Sequence, residues 1–220
     1  MTSRGAPGPP SRPYARPYYG LDIETDTTVD GLDPACAGIL AVAVATPTGD
    51  EVLLGREDRL LADLESLLSS LPPGVLVTWN GSGFDLPFLQ ARAARWGVPL
   101  GLRLAPGPCS GDVTPRVRAS WGAHQHLDGY LLYRADVGRA LGLSCGLKSV
   151  ARLAGVAPVE VDRALVHELP RDELARYVAS DARLARDLVQ RRLPAAAAFV
   201  DRCTTGAGDP AGAPPTVTPG

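Results

Sequence analysis

Tyr18-Tyr19-Gly20-Leu21-Asp22-Ile23-Glu24 is the stretch on which the fold turns. Its apolar and aromatic residues read as a β-strand, and it carries two acids two positions apart. Successive strand side chains point to opposite faces, so Asp22 and Glu24 share one face while Ile23 takes the other. Two carboxylates this close repel and raise each other's pKa. A divalent cation that prefers hard oxygen ligands removes the conflict. The same pattern also suits the polar face of a half-exposed strand, so its meaning depends on what the rest of the chain brings to it.

Working outward, Gly38 to Thr46 (GILAVAVAT) is a continuous apolar run of the length of a buried strand. Pro47-Thr48-Gly49-Asp50 then reads as a turn into a third strand, Glu51 to Leu54. From Glu57 to Leu71, the spacing of Leu60, Leu61, Leu64, Leu67 and Leu68 predicts an amphipathic helix, stopped by Pro72-Pro73-Gly74. Val75 to Trp79 is a fourth strand, and Pro87 to Trp96 a second helix with its proline in the first turn. Residues 97–125 read as loop-rich. Asp128 to Leu141, Leu147 to Ala154 and Pro170 to Leu193 read as helices. A meander followed by helix, strand and helix predicts an α/β fold, a mixed sheet of antiparallel meander plus parallel strands flanked by helices.

Two further clusters carry chemistry. Asn80-Gly81-Ser82-Gly83-Phe84-Asp85-Leu86-Pro87-Phe88-Leu89 follows the fourth strand, with Asp85 just ahead of a helix. Open α/β sheets present ligands at such strand ends, although an Asp there also caps the helix. On the last helix, Tyr177 and Asp181 are four residues apart and share one face. Leu174, Val178, Leu184 and Leu188 supply the apolar stripe that docks this helix.

Together these residues resemble a known family. D-x-E-T in a first strand, N-x-x-x-F-D-x-P-F-L after a later strand and Y-x-x-x-D on a C-terminal helix look like the exonuclease motifs of the DEDD superfamily, tyrosine branch. The chain is similar to the proofreading domain of family B DNA polymerases and to stand-alone bacterial ribonuclease-H-like proteins, from about Tyr18 to Arg192. The resemblance implies a ribonuclease-H-like fold and a 3′–5′ exonuclease acting on single-stranded nucleic acid ends, DNA slightly ahead of RNA. It implies two Mg²⁺ or Mn²⁺ ions on Asp22, Glu24, Asp85 and Asp181. Asp22 would bridge both ions, and Tyr177 would orient the attacking water. Asn80 would touch a phosphate, the backbone around Thr25 the terminal nucleotide, Phe84 a base and Lys148 a phosphate. The histidine branch places its base five residues before the last Asp, and that position here is Arg176.

Bulk properties bound these expectations. The 220 residues suffice for one core, with 45% hydrophobic and 21% charged residues, as in ordinary soluble domains. A net charge of −2 is not the strongly basic balance common among nucleic-acid binders, although bound ions would offset the acids of such a site. Lys148 is the sole lysine among 22 basic residues. Cys36, Cys109, Cys145 and Cys203 are scattered without zinc spacing and read as reduced thiols. No signal-like apolar run opens the chain and no stretch is long enough to span a membrane. The expectation is a cytoplasmic protein with no obligate protein partner. Residues 1–17 and 204–220, rich in Pro and Gly, read as tails around a domain over 18–203. His124-Gln125-His126 is a weak metal signal, and Asp128 reads as a helix cap. Arg116, Arg118 and Trp121 combine charge with an aromatic, as strand-binding surfaces do. A catalytically silent adaptor on the same fold is the rival reading, and it would normally lack one of the carboxylates.

Overall fold

The computed structural model describes residues 16–107 and 116–192. Residues 1–15 and 204–220 of the expected tails lie outside the described residues, as do Cys109 and Cys203. The first strand, β1 (Tyr18–Thr25), pairs antiparallel with β2 (Ile39–Ala45), which pairs antiparallel with β3 (Asp50–Leu54). On its other side β1 pairs in parallel with β4 (Val75–Thr78). The meander and the parallel crossover are therefore those the sequence predicts.

The sheet is nevertheless larger than expected. Three further strands, β5 (Leu102–Pro106), β6 (Val117–Trp121) and β7 (His124–Asp128), complete seven among the described residues, in the order β3-β2-β1-β4-β7-β6-β5. The region read as loop thus holds an antiparallel β5–β6 pair, and β7 runs parallel to β4. That the sequence shows no readable strand pattern there has a physical source. In β7 the sequence His124-Gln125-His126 is polar, yet tertiary contacts satisfy it. His124 is buried, accepts at Nδ1 from the Gly74 N–H at 3.2 Å and donates through Nε2 to the Leu68 carbonyl at 2.8 Å. His126 bonds Thr78 Oγ1 at 2.8 Å, and burial lowers its pKa to about 4. Neither histidine joins a cluster of metal-ligating groups among the described residues.

Alternation in the strands divides the core into two faces. Tyr19, Leu21, Ile23, Val42, Val44 and Leu76 face the helices α1 (Glu57–Ser70) and α2 (Asp85–Trp96). Leu60, Leu61, Leu64 and Leu68 of α1 are fully buried there, each worth roughly 1.5–3 kcal/mol. The opposite face carries α3 (Gly129–Tyr133), α5 (Leu147–Leu153) and the long α6 (Arg171–Arg191). Between the first two of these, the helix expected over Asp128 to Leu141 is interrupted. A π-turn, Arg134–Gly138, separates α3 from the short α4 (Arg139–Leu141). The chain returns across this break, where a Cβ on Gly138 would lie 2.4 Å from Cys145 Sγ. A 3₁₀ turn, Arg163–Glu168, leads into α6. No helix among the described residues is long and apolar enough to cross a membrane.

Small residues set how closely α6 lies on the sheet. Ala41, Ala43 and Ala45 of β2 face it, in register with Glu24, Asp22 and Gly20 of β1. In these three β1–β2 pairs every residue is small or acidic, so the helix comes down directly above the two carboxylates.

Candidate active site

Asp22 and Glu24 project from β1 toward α6, as the strand alternation requires, and Asp181 descends from α6 to meet them. Oxygens of these three carboxylates all lie within 4.8 Å of one another. Asp85 sits at the start of α2, 5% exposed, and lines the same cavity of about 960 Å³. Its carboxylate accepts hydrogen bonds from its own N–H and from that of Ile23, a donor available because β4 pairs with β1 only as far as Gly20. Asp85 does not cap α2: the N-cap position is Phe84, with no side-chain cap, and Asp85, in the first turn, is tied instead to the acidic strand.

The electrostatics follow from crowding acids away from water. Burial, then the charges of Glu24, Asp181 and Asp85, raise Asp22 well above the ordinary carboxylate range. Burial and Asp181 raise Glu24 to about 8, and burial raises Asp85 to about 7. Asp181 is raised by burial against the opposing pull of Lys148. The Lys148 ammonium is hydrogen-bonded to Asp181 and lies 4.7 Å from the centre of the Tyr177 ring. An all-oxygen set of this kind, strained by its own charge, suits a hard divalent cation.

Tyr177 is 1% exposed on α6, one turn before Asp181, with Ala41 and Ala43 beneath it. Burial and the charges of Glu24 and Asp181 push its phenol further up, so it is neutral at any ordinary pH. The Arg163 guanidinium donates to its hydroxyl. Nothing in the sequence singled out Arg163; it lies in the 3₁₀ turn, fourteen residues before the tyrosine, and only folding brings it there.

Thr25, Asn80 and Phe84 all line the cavity. Thr25 follows a bulge in β1 and closes its loop by donating through Oγ1 to the Gly31 carbonyl at 2.7 Å. Asn80 takes a left-handed backbone with φ 70°. Phe84 is half-buried, its ring 5.3 Å from that of Phe88, so one part packs and another faces the cavity. The turn that carries all this is held by Asp128, which is 2% exposed. Asp128 caps α3 through the Tyr130 N–H at 3.0 Å, as expected. It also accepts from the Asn80 N–H at 2.9 Å, the Ser82 N–H at 3.1 Å and the Ser82 hydroxyl. That second duty was invisible in the sequence, because it joins residues more than forty positions apart. Arg116 donates to Asn80 Oδ1 at 2.9 Å from the same side.

A family model described as RNase_H superfamily matches residues 20–164, well over half of the chain. The chain belongs to the ribonuclease H superfamily. DNA polymerase 1 of Aeropyrum pernix is 34% identical over 152 residues, covering 66% of this chain and 15% of the relative. DNA polymerase of Archaeoglobus fulgidus is 36% identical over 81 residues, 36% of this chain and 10% of the relative. The solved family B DNA polymerase of Pyrobaculum calidifontis superposes with a TM-score of 0.63 at 25% identity, covering 87% of this chain and 26% of that one. This ribonuclease H superfamily chain therefore spans only a minor part of the polymerases it matches. The sequence likeness to family B polymerases, read first from three short motifs, extends through the fold.

Proposed function

We propose that the protein is a metal-dependent 3′–5′ exonuclease of the tyrosine branch, hydrolysing phosphodiester bonds at single-stranded ends, with DNA slightly favoured over RNA. The observation that carries this reading is the convergence of Asp22, Glu24 and Asp181 within 4.8 Å, beside Asp85 in one cavity. The named relatives are DNA polymerases, which favours DNA. Asp22, Glu24, Asp85 and Asp181 would hold two Mg²⁺ or Mn²⁺ ions. Such a pair supplies charge neutralisation at the attacking and leaving oxygens of an in-line displacement.

The chain's own residues do the positioning. The phenol of Tyr177 is neutral, so it orients a water or a phosphate oxygen and does not act as a base. Because Arg163 is a donor without an acceptor, its bond occupies the phenol oxygen and leaves the phenol proton free to point at the substrate. Asn80 contacts a phosphate oxygen, the backbone at Thr25 receives the terminal nucleotide, and the exposed part of Phe84 meets a base. Lys148 exchanges Asp181 for a phosphate as negative charge arrives.

The test is degradation of end-labelled single-stranded DNA and RNA in parallel, with Mg²⁺, Mn²⁺ or chelator. Stepwise shortening of a 5′-labelled strand that chelator stops is the expected result. Degradation that proceeds in chelator, or shortening only from the 5′ end, overturns the reading.

A further inference from the structure

The acidic cavity has two chemically different ends. One is formed by the loop after β1 and carries Val29 and Leu32, 47% and 74% exposed, beside Asp30. The other is formed by Arg116, Tyr130 and Arg134. Here two guanidinium groups lie close to the Tyr130 ring, that of Arg116 at 5.0 Å and that of Arg134 at 5.8 Å from its centre. Arg134 also donates to the Tyr130 hydroxyl at 2.9 Å. The Arg116 side chain is only 9% exposed, and its Nε has no hydrogen-bond partner. A buried unpartnered donor costs free energy unless something else satisfies it.

Beyond Tyr130 and Arg134 lies a second cavity of about 710 Å³. It shares Tyr130, Arg134 and Gly146 with the first and adds Arg139. None of the described residues lining it is acidic. A polynucleotide carries one negative charge per residue, so only its scissile phosphate gains from the carboxylate site, through the ions there. The remaining phosphates are repelled by the acids and by the Asp30 end. They are drawn toward the arginine end, where an aromatic is interleaved with the cations, as in grooves that hold single strands.

We infer that the strand leading to the scissile phosphate passes over Tyr130 between Arg116 and Arg134 and seats its upstream nucleotides in the second cavity, with the terminal nucleoside against Val29 and Leu32. This rests on the nuclease reading above and adds to it a direction and a subsite: Arg134 and Arg139 hold upstream phosphates and take no part at the reacting one.

The test compares wild type with the double variant Arg134→Ser/Arg139→Ser in two assays. Binding of a 5′-labelled single-stranded decamer is followed by fluorescence anisotropy in chelator at several salt concentrations. Hydrolysis of the p-nitrophenyl ester of thymidine 5′-monophosphate, which has no upstream nucleotide, is followed in Mn²⁺. The variant should bind the decamer about tenfold more weakly, with a salt slope shallower by about 1.4, the counterion release of two single-strand phosphates. Its kcat/KM on the ester should stay within about twofold of wild type. Arg134→Lys/Arg139→Lys should restore most of the salt slope, which separates lost charge from lost folding. Unchanged decamer affinity and salt slope, or equal losses on decamer and ester, would overturn the subsite. If wild type in Mn²⁺ hydrolyses neither the ester nor the decamer, the nuclease reading fails instead, and the anisotropy in chelator still decides the strand path.

Discussion

The backbone of Gly20 lies directly beneath the carbonyl of Ala182. A Cβ at position 20 would stand 1.9 Å from that oxygen. The closeness matters because Asp181 is the neighbour of Ala182, and Asp22 is two residues along the same strand face. How near α6 comes to β1 thus sets how near the third carboxylate comes to the first two.

Gly20→Ala should push α6 off the sheet. Overpacking against backbone costs about 1–3 kcal/mol, which for a domain of this size lowers the melting temperature by roughly 2–12 °C. The more specific expectation is that Asp181 retreats and stabilisation by Mn²⁺ shrinks by more than half. Calorimetry with and without Mn²⁺ checks this, and a full metal response in the variant would show that α6 placement is not critical.

Metal binding itself should be visible as stability. An ion that binds only the folded state stabilises it by roughly 2.7 kcal/mol at a hundred times Kd, a rise of about 5–11 °C here. Asp22→Asn should remove most of that rise, and without metal it should be no less stable than wild type, since it relieves repulsion. Asp22→Ala should lose hydrolysis by at least about a thousandfold while single-stranded DNA still binds. Equal Mn²⁺ shifts in wild type and Asp22→Asn would place the ion elsewhere.

In chelator, stability should fall as pH rises from 5 to 8. Folding raises Glu24 to about 8 and Asp85 to about 7, and raises Asp22 and Asp181 as well. Unfolded carboxylates titrate near 4, so over this interval the folded state holds more protons than the unfolded chain. Its relative stability is complete below about pH 4 and is lost as pH climbs through the folded values. Saturating Mg²⁺ should flatten the curve, because the ions favour the charged carboxylates. A melting temperature that climbs from pH 5 to 8 in chelator would contradict this electrostatic account.

Asp128→Ala should damage the site without touching it. The variant leaves the N–H groups of Asn80, Ser82 and Tyr130 without their acceptor. At about 1–3 kcal/mol for an unsatisfied buried group, a net loss near 3 kcal/mol would lower the melting temperature by about 6–12 °C. Hydrolysis should fall further than stability explains, since Asn80 and Asp85 ride on the freed turn. Below the transition, wild-type kcat in Asp128→Ala would show that the turn holds without it.

Local pattern carried a large part of this protein. The two-residue period put Asp22 and Glu24 on one face, and the four-residue period put Tyr177 and Asp181 on another, before any contact was known. The meander, β4, α1, α2, α5 and α6 were readable because each repeats its signal over several neighbouring residues. What failed was polar sequence made apolar in effect by distant partners. His124 and His126 hid β7, since their bonds reach Leu68, Gly74 and Thr78. Arg163 and the second duty of Asp128 were hidden for the same reason. A pair fourteen or more than forty residues apart has no periodicity to betray it, because its spacing is set by loop lengths that no repeat constrains. Tertiary structure alone decided that β1 and α6 meet at a glycine, and hence that strand acids and helix acid share one cavity.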